Sequence, residues 1–296
     1  MTFNKARLLR AVFTYFGRCP DSTRLRWGAV LGWLAPRLLK SRAHIVRTNL
    51  RLCFPELDDA TREALLKRHF RLLAQSVIDR GLLWFGDPER VRQTVRLHGE
   101  EHLQRAMAAG ENILILAPHF IGLDAAGSRI AMRCEKFASF YTPSSDPDVD
   151  AMMREGRQRF NETSLVSRDD GVRGLIRLLR QGIPVYYLPD MDFGREGAVF
   201  VPFFGIQAAT LPSTAQIAGS WKANVIPVIS RLDETTGTYD IELLPPLPDF
   251  PGNEGPEADT AHINRLLEEW VRRDPAQYYW VHRRFKTRPV GEPKPY

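Results

Sequence analysis

The sequence predicts an α/β fold: a mixed, largely parallel central sheet flanked by helices, with a helical, basic arm at the N-terminus. Three observations predict it. Short apolar runs alternate with amphipathic stretches along most of the 296 residues, the pattern of strand–helix units. One run, Ile113–Ala117, is apolar at every position, as a strand buried on both faces requires. Charge is also unevenly spread. The first 51 residues hold eleven Lys/Arg against Asp21 alone, a net +10 that leaves the remaining 245 residues at −4 within a total of +6.

The arm comes first. Its cations are interleaved with Leu8, Leu9, Val12, Phe13, Tyr15 and Phe16, then with "WGAVLGWLAPRLL" from Trp27 to Leu39. Basic charge suits nucleic acid or an anionic membrane. The flanking Trp27 and Trp33 favour the membrane, because indole rings suit the headgroup boundary. The uncharged run Trp27–Pro36 is ten residues, where a spanning helix needs about 20, so the arm reads as an interfacial amphipathic anchor. The alternative is a helix packed on the core. No small-residue cleavage site follows "AVFTYFG", so a signal peptide is not expected. Three dispersed cysteines, Cys19, Cys53 and Cys134, with no CxxC, suggest a reducing compartment and no structural zinc.

The body follows, divided here as 1–50 arm and 51–296 catalytic domain. Asp59–Phe85 carries Leu65, Leu66, Phe70, Leu73 and Val77 at helical spacing. "VRLHG" reads as a strand and "EEHLQRAMAAG" as a helix ended by Gly110. Then come strand Asn112–Ala117, helix Leu123–Arg133, strand Phe137–Tyr141 and helix Val149–Phe160. Helix Gly171–Arg180, strand Pro184–Leu188, helix Thr210–Ala218 and strands Val225–Ser230 and Tyr239–Leu243 continue the pattern. Helix Asp259–Arg272 comes last, after a Pro/Gly-rich loop at Pro245–Pro256.

Pro118 ends the buried strand, so His119 falls at a strand's carboxyl end, where open α/β sheets place ligands. Asp124 lies in the first turn of the next helix. On one continuous helix the two would sit about 140° apart. They can meet only through a turn, which Gly122 makes easy. A neutral imidazole could then deprotonate a hydroxyl attacking an acyl carbon, with the carboxylate fixing its tautomer. The plainer possibility is that Asp124 favours the helix N-terminus and His119 closes a loop. There is no GxSxG elbow, so a nucleophilic serine is not expected. "HGEEH" at His98–His102 lacks the zincin spacing, and "GVRGLIR" lacks that of a phosphate loop.

Four segments taken together resemble the bacterial late acyltransferases of lipid A biosynthesis: "RTNLRLCFPEL", "PHFIGLD", "LPDMDFGREGAVFVPFFGIQAAT" and "QYYWVHRRFKTRP". The resemblance covers nearly the whole chain after the first twenty or so residues. It implies a glycerolipid-acyltransferase-like fold and an inner-membrane enzyme facing the cytoplasm. It further implies transfer of a lauroyl or myristoyl chain from acyl carrier protein. The acceptor would be the hydroxyl of a 3-hydroxyacyl chain on the Kdo-bearing lipid A precursor. Related glycerolipid acyltransferases share H-x4-D but usually carry Asn where Pro118 stands, and their Glu-Gly-x-x-Arg motif is absent, which favours lipid A as acceptor.

The resemblance makes His119 the general base and Asp124 its orienting partner. Arg157, Arg159 and Arg168 become candidates for the oxyanion or for sugar phosphates, Arg157 foremost. Asp190 and Asp192, after the strand "PVYYL", would orient an arginine or bond glucosamine, unless they only make a turn. Arg283, Arg284, Lys286 and Arg288 would contact the anionic substrate, while Phe203 and Phe204 line an acyl path or the core. No metal or other cofactor is expected beyond the acyl thioester. The expected partners are acyl carrier protein, the lipid A precursor and the membrane surface, not nucleic acid. Another membrane-lipid O-acyltransferase, a lipid hydrolase and a membrane-bound scaffold are the competing readings.

Overall fold

The computed structural model describes residues 5–167 and 171–296. The N-terminal part is helical: α1 (Lys5–Arg18), α2 (Asp21–Leu38), α3 (Lys40–Cys53) and the 27-residue α4 (Asp59–Phe85). Asp58 caps α4, its carboxylate accepting the Thr61 N–H at 2.6 Å. The arm is not one amphipathic anchor hanging from the body. Both α1 and α2 lie along α4, drawn close by glycines: a Cβ on Gly17 would stand 2.6 Å from the Gly81 carbonyl oxygen, and one on Gly32 2.4 Å from Arg71 Cα. Arg24 is buried with them and donates to Asp79 at 2.9 Å, and the Tyr239 hydroxyl reaches the same carboxylate at 2.8 Å. The division at residue 50 falls inside α3, whose buried Asn49 donates to the Trp280 and His282 carbonyls, both at 2.8 Å.

The sheet is formed by β1 (Val95–His98), β2 (Ile113–Leu116), β3 (Lys136–Tyr141), β4 (Glu162–Ser167), β5 (Val185–Tyr187), β8 (Asn224–Leu232) and β9 (Tyr239–Leu243). Their order is β1-β9-β8-β2-β5-β3-β4, parallel throughout except between β8 and β9. A separate antiparallel hairpin joins β6 (Val199–Phe203) to β7 (Ile206–Thr210). Around the sheet stand α5 (Pro88–Thr94), α6 (Glu100–Ala108), α7 (Leu123–Ala131), α8 (Pro147–Arg157), α9 (Gly171–Leu179), α10 (Ser213–Trp221) and α11 (Pro256–Arg273).

Strand β2 shows why its run is wholly apolar. Leu114 and Leu116 enter one core with α3, α9 and α11, while Ile113 and Ile115 enter a second with α6 and α7. Both faces are therefore dry. The alternation predicted from sequence is present, with corrections: a short helix, α5, stands between α4 and β1 where none was expected, and two further places differ. The helix expected to run to Phe160 ends at Arg157, and β4 follows. That strand is at the sheet edge and carries Glu162, Thr163 and Ser164, so it lacks an apolar signature. The β6–β7 hairpin occupies a stretch without an expected strand, and β7 takes Thr210, so α10 begins at Ser213 rather than at Thr210. Its loop places Phe204 and Gly205 at φ 52° and 73°. Two positive φ angles usually call for Asn-Gly or Gly-Gly, and phenylalanine at the first disguises the turn.

Candidate active site

Strands β2 and β5 are parallel neighbours with Leu116 opposite Tyr187. Each is followed by a proline at the second position beyond and a chemically active residue at the third: Pro118 and His119 after β2, Pro189 and Asp190 after β5. Register alone thus carries His119 and Asp190 to the same level beyond the carboxyl ends. His119 Nδ1 lies 2.7 Å from Asp190 Oδ1, and the His119 backbone N–H donates to Oδ2 at 2.9 Å. The Tyr278 hydroxyl adds a third bond to Oδ2 at 2.8 Å.

Burial would push the Asp190 carboxyl up, but the His119 charge opposite and these three bonds outweigh it and hold it at about 2. Asp190 is therefore an anion at neutral pH. An anion at Nδ1 keeps the proton there and leaves Nε2 as the basic nitrogen of the neutral ring. Nε2 makes no hydrogen bond among the described residues, and His119 lines a cavity of about 470 Å³. Backbone bonds on the other side complete the setting. Tyr279 N–H donates to the His119 carbonyl at 2.9 Å, and Ile121 N–H to the Gln277 carbonyl at 2.7 Å. The segment 277–279 therefore runs beside the histidine loop and fixes it.

The structure corrects the pairing expected within H-x4-D. A turn at Ile121–Gly122 does separate the two, with Gly122 at an ordinary φ of −81° and needed for its close approach to Ser230, but Asp124 does not bond His119. Its carboxylate accepts Arg157 Nε at 2.9 Å on one oxygen and Arg80 Nε at 2.8 Å on the other. Burial opposes ionisation here too, and the two guanidiniums override it, holding the carboxyl at about 2. The physical reason is competition. Two cations claim Asp124, while Asp190 already occupies Nδ1. Asp124, Arg80 and Arg157 nevertheless line the same cavity as His119. The constellation thus sets a fixed imidazole beside two arginines that share one carboxylate.

The other sequence candidates separate. Arg159 turns away: it donates to the Leu83 and Gly86 carbonyls at 3.0 and 2.8 Å, capping the last turn of α4, and stacks on Phe160. Arg168 lies outside the described residues. Among the C-terminal cations, Lys286 reaches the cavity. Arg284 is buried, donating to the Ala209 carbonyl and Thr210 Oγ1 at 2.8 and 2.7 Å. Arg288 bonds the Gln207 carbonyl and Glu292, and Arg283 stands exposed. Phe203 and Phe204 are core, packed with Phe54, Tyr278 and Phe285.

Asp190 orients a histidine rather than an arginine or a sugar. Asp192 builds a turn with further reach: its carboxylate accepts the Gly194 and Thr287 N–H groups and the Thr287 hydroxyl, and its own N–H donates to His282 Nε2 at 3.0 Å. Sequence reasoning missed Arg80, Tyr278 and His282. Arg80 lies mid-helix with no motif around it. His282 stood in plain view, masked by the basic run it opens.

Fold and site together define an α/β enzyme whose reactive groups gather at strand carboxyl ends. Residues 6–287 match the family model described as bacterial lipid A biosynthesis acyltransferase. The chain is 35% identical to the lipid A biosynthesis lauroyltransferase of Escherichia coli (strain K12), covering 92% of this chain and 88% of that protein. It is 32% identical to the palmitoleoyltransferase of the same organism, over 90% and 85% of the two chains. To the myristoyltransferase it is 34% identical, over 90% and 82%. The chain therefore belongs to the bacterial lipid A biosynthesis acyltransferases and is an acyltransferase.

Proposed function

We propose that this lipid A acyltransferase moves a lauroyl or myristoyl chain from acyl carrier protein to the hydroxyl of a 3-hydroxyacyl chain on the Kdo-bearing precursor. The carrying observation is the fixed His119 ring, with Asp190 on Nδ1 and Nε2 on the cavity. In this reading Nε2 takes the acceptor's hydroxyl proton as its oxygen bonds to the thioester carbon. The carbon–sulfur bond then breaks, and the imidazolium returns the proton to the departing thiolate. The thioester is already activated, so the reading calls for no cofactor.

Arg80, Arg157 and Lys286 suit phosphate or Kdo carboxylate groups, with Asp124 holding the two arginines in place. Asp124 thereby keeps a part in the H-x4-D motif as the organiser of an anion site. Lauroyl and myristoyl chains agree with the names of two of the relatives, while a third is named for a palmitoleoyl chain.

The reading also puts the enzyme on the cytoplasmic face of the inner membrane. No helix among the described residues is long and apolar enough to cross a membrane. Yet α1 and α2 expose Leu8, Val12, Tyr15, Trp27, Trp33 and Leu38 among their arginines, which suits helices lying at the interface.

Acyl transfer from acyl carrier protein, followed by mass spectrometry of the lipid product, tests the whole. Wild-type protein should add one acyl mass to the precursor and His119→Ala should not. Undiminished transfer by His119→Ala removes the general base. Transfer to lysophospholipid but not to the precursor removes the acceptor.

A further inference from the structure

The short segment Pro189–Asp192 holds two histidines. Asp190 fixes the His119 ring through its carboxylate, and Asp192, two residues on, fixes the His282 ring through its backbone N–H. Both rings line the same cavity. The His282 backbone is tied as firmly. Its carbonyl accepts Asn49 Nδ2 at 2.8 Å, and its N–H donates to the Tyr279 carbonyl, one hydrogen bond away from His119.

The bond from Asp192 settles the tautomer. An N–H donor facing Nε2 requires a lone pair there, so the neutral ring carries its proton on Nδ1. That N–H has no partner among the described residues. Burial, and then the charges of Arg284, His119 and Lys286, hold the ring at about 4, so it is neutral near pH 7. His282 is thus a fixed hydrogen-bond donor that keeps its proton. This is the opposite assignment to His119, whose Nδ1 is engaged and whose Nε2 is basic.

Resting on the reading of His119 as general base, we propose that His282 is a catalytic oxyanion donor, its Nδ1–H stabilising the thioester carbonyl oxygen as that oxygen becomes an alkoxide. As the acceptor oxygen bonds to carbon, its proton passes to His119 Nε2 and the carbonyl π pair moves onto oxygen. The Nδ1–H of His282 donates to that oxygen and retains its proton. When the pair returns to re-form the carbonyl, the carbon–sulfur bond breaks and the thiolate takes the proton from His119. A donor fixed before the reaction needs no reorganisation as the charge develops. The cations of the cavity are placed differently: Asp124 engages Arg80 and Arg157, and Lys286 is exposed.

Two isosteric substitutions separate this role from support of the Asp192 turn. In His282→Gln the side-chain oxygen can reach the old Nε2 position and still accept from Asp192, but the Nδ1–H is gone. In His282→Asn the amide N–H can stand where Nδ1–H stood, while the acceptor for Asp192 is lost. For acyl transfer from acyl carrier protein, His282→Gln should lower kcat about 100-fold with KM little changed, and His282→Asn should recover most of that loss. The reverse order, full activity in His282→Gln, or equal loss in both variants overturns the proposal. His119→Ala in the same assay tests the general base by itself, so the two failures are distinguishable.

Discussion

Asp190 Oδ1 stands 2.7 Å from His119 Nδ1, although 71 residues separate them in sequence. Two parallel strands in register, each continued by X-Pro, bring them level. Replacing Asp190 with Asn keeps the shape but turns an amide toward the ring or removes the charge opposite it. Either change favours the wrong tautomer and leaves the imidazolium unsupported. We expect kcat for acyl transfer by Asp190→Asn to fall by about 10³ to 10⁴, with the folded structure retained. Steady-state kinetics with circular dichroism checks this, and a loss under tenfold would detach Asp190 from the mechanism.

That pairing also marks how far the sequence could be read. Its local signals were legible: the dry run of β2, the 3–4 periodicity of α4 and α11, and the cation-rich arm. His119 at a strand end was legible for the same reason. Its partner was not, because H-x4-D offered a nearby carboxylate and no single-chain pattern states which strand lies beside β2. The order β8-β2-β5 is a tertiary fact. Arg80 was hidden likewise, since a lone arginine in a long amphipathic helix looks like any solvated residue.

Asp124 is expected to shape the acid stability of the protein. Arg157 and Arg80 outweigh burial and hold its carboxyl at about 2, below the ordinary carboxylate value. Between pH 4 and 2 the unfolded chain therefore binds a proton that the folded one does not. The stabilisation is fully present above about pH 4 and is lost as pH falls toward 2. It amounts to roughly 2 kcal/mol. Asp124→Asn should lose at least that much at pH 7, because two guanidiniums are left facing each other. Its denaturant-monitored stability should also fall less steeply from pH 4 to 2. Parallel curves for the two proteins in that window would show that the ion pairs contribute nothing to folding.

Gly156 places Arg157. A Cβ at Gly156 would stand 2.3 Å from Trp84 Cγ, so α8 can touch the indole only because this position has no side chain. The Arg80 guanidinium packs over the same indole at 5.6 Å. In Gly156→Ala the helix or the ring must move, and Arg157 and Arg80 move with them. We expect a destabilisation of about 1 to 3 kcal/mol, together with a raised KM for the anionic acceptor. Unchanged KM with reduced stability would separate packing at Trp84 from the placement of the arginine pair.

Membrane docking is best tested on side chains rather than by removing the arm. Deleting residues 1–40 would strip α1 and α2 from α4, remove Arg24 from Asp79 and uncover the face of α4 that these helices bury. Exposing that packed face destabilises the fold, so loss of membrane association could then reflect unfolding alone. Trp27 and Trp33 avoid this difficulty, since they are 47% and 59% exposed and α2 approaches α4 most closely at Gly28 and Gly32. If these rings enter the headgroup boundary, each removal should weaken partitioning onto anionic vesicles by about tenfold, near 1.4 kcal/mol. The double variant Trp27→Ser/Trp33→Ser should unfold at the wild-type midpoint while sedimenting far less with phosphatidylglycerol vesicles. Equal sedimentation of variant and wild type would leave the arginines, not this apolar face, as the source of any binding, and added salt would then release both alike.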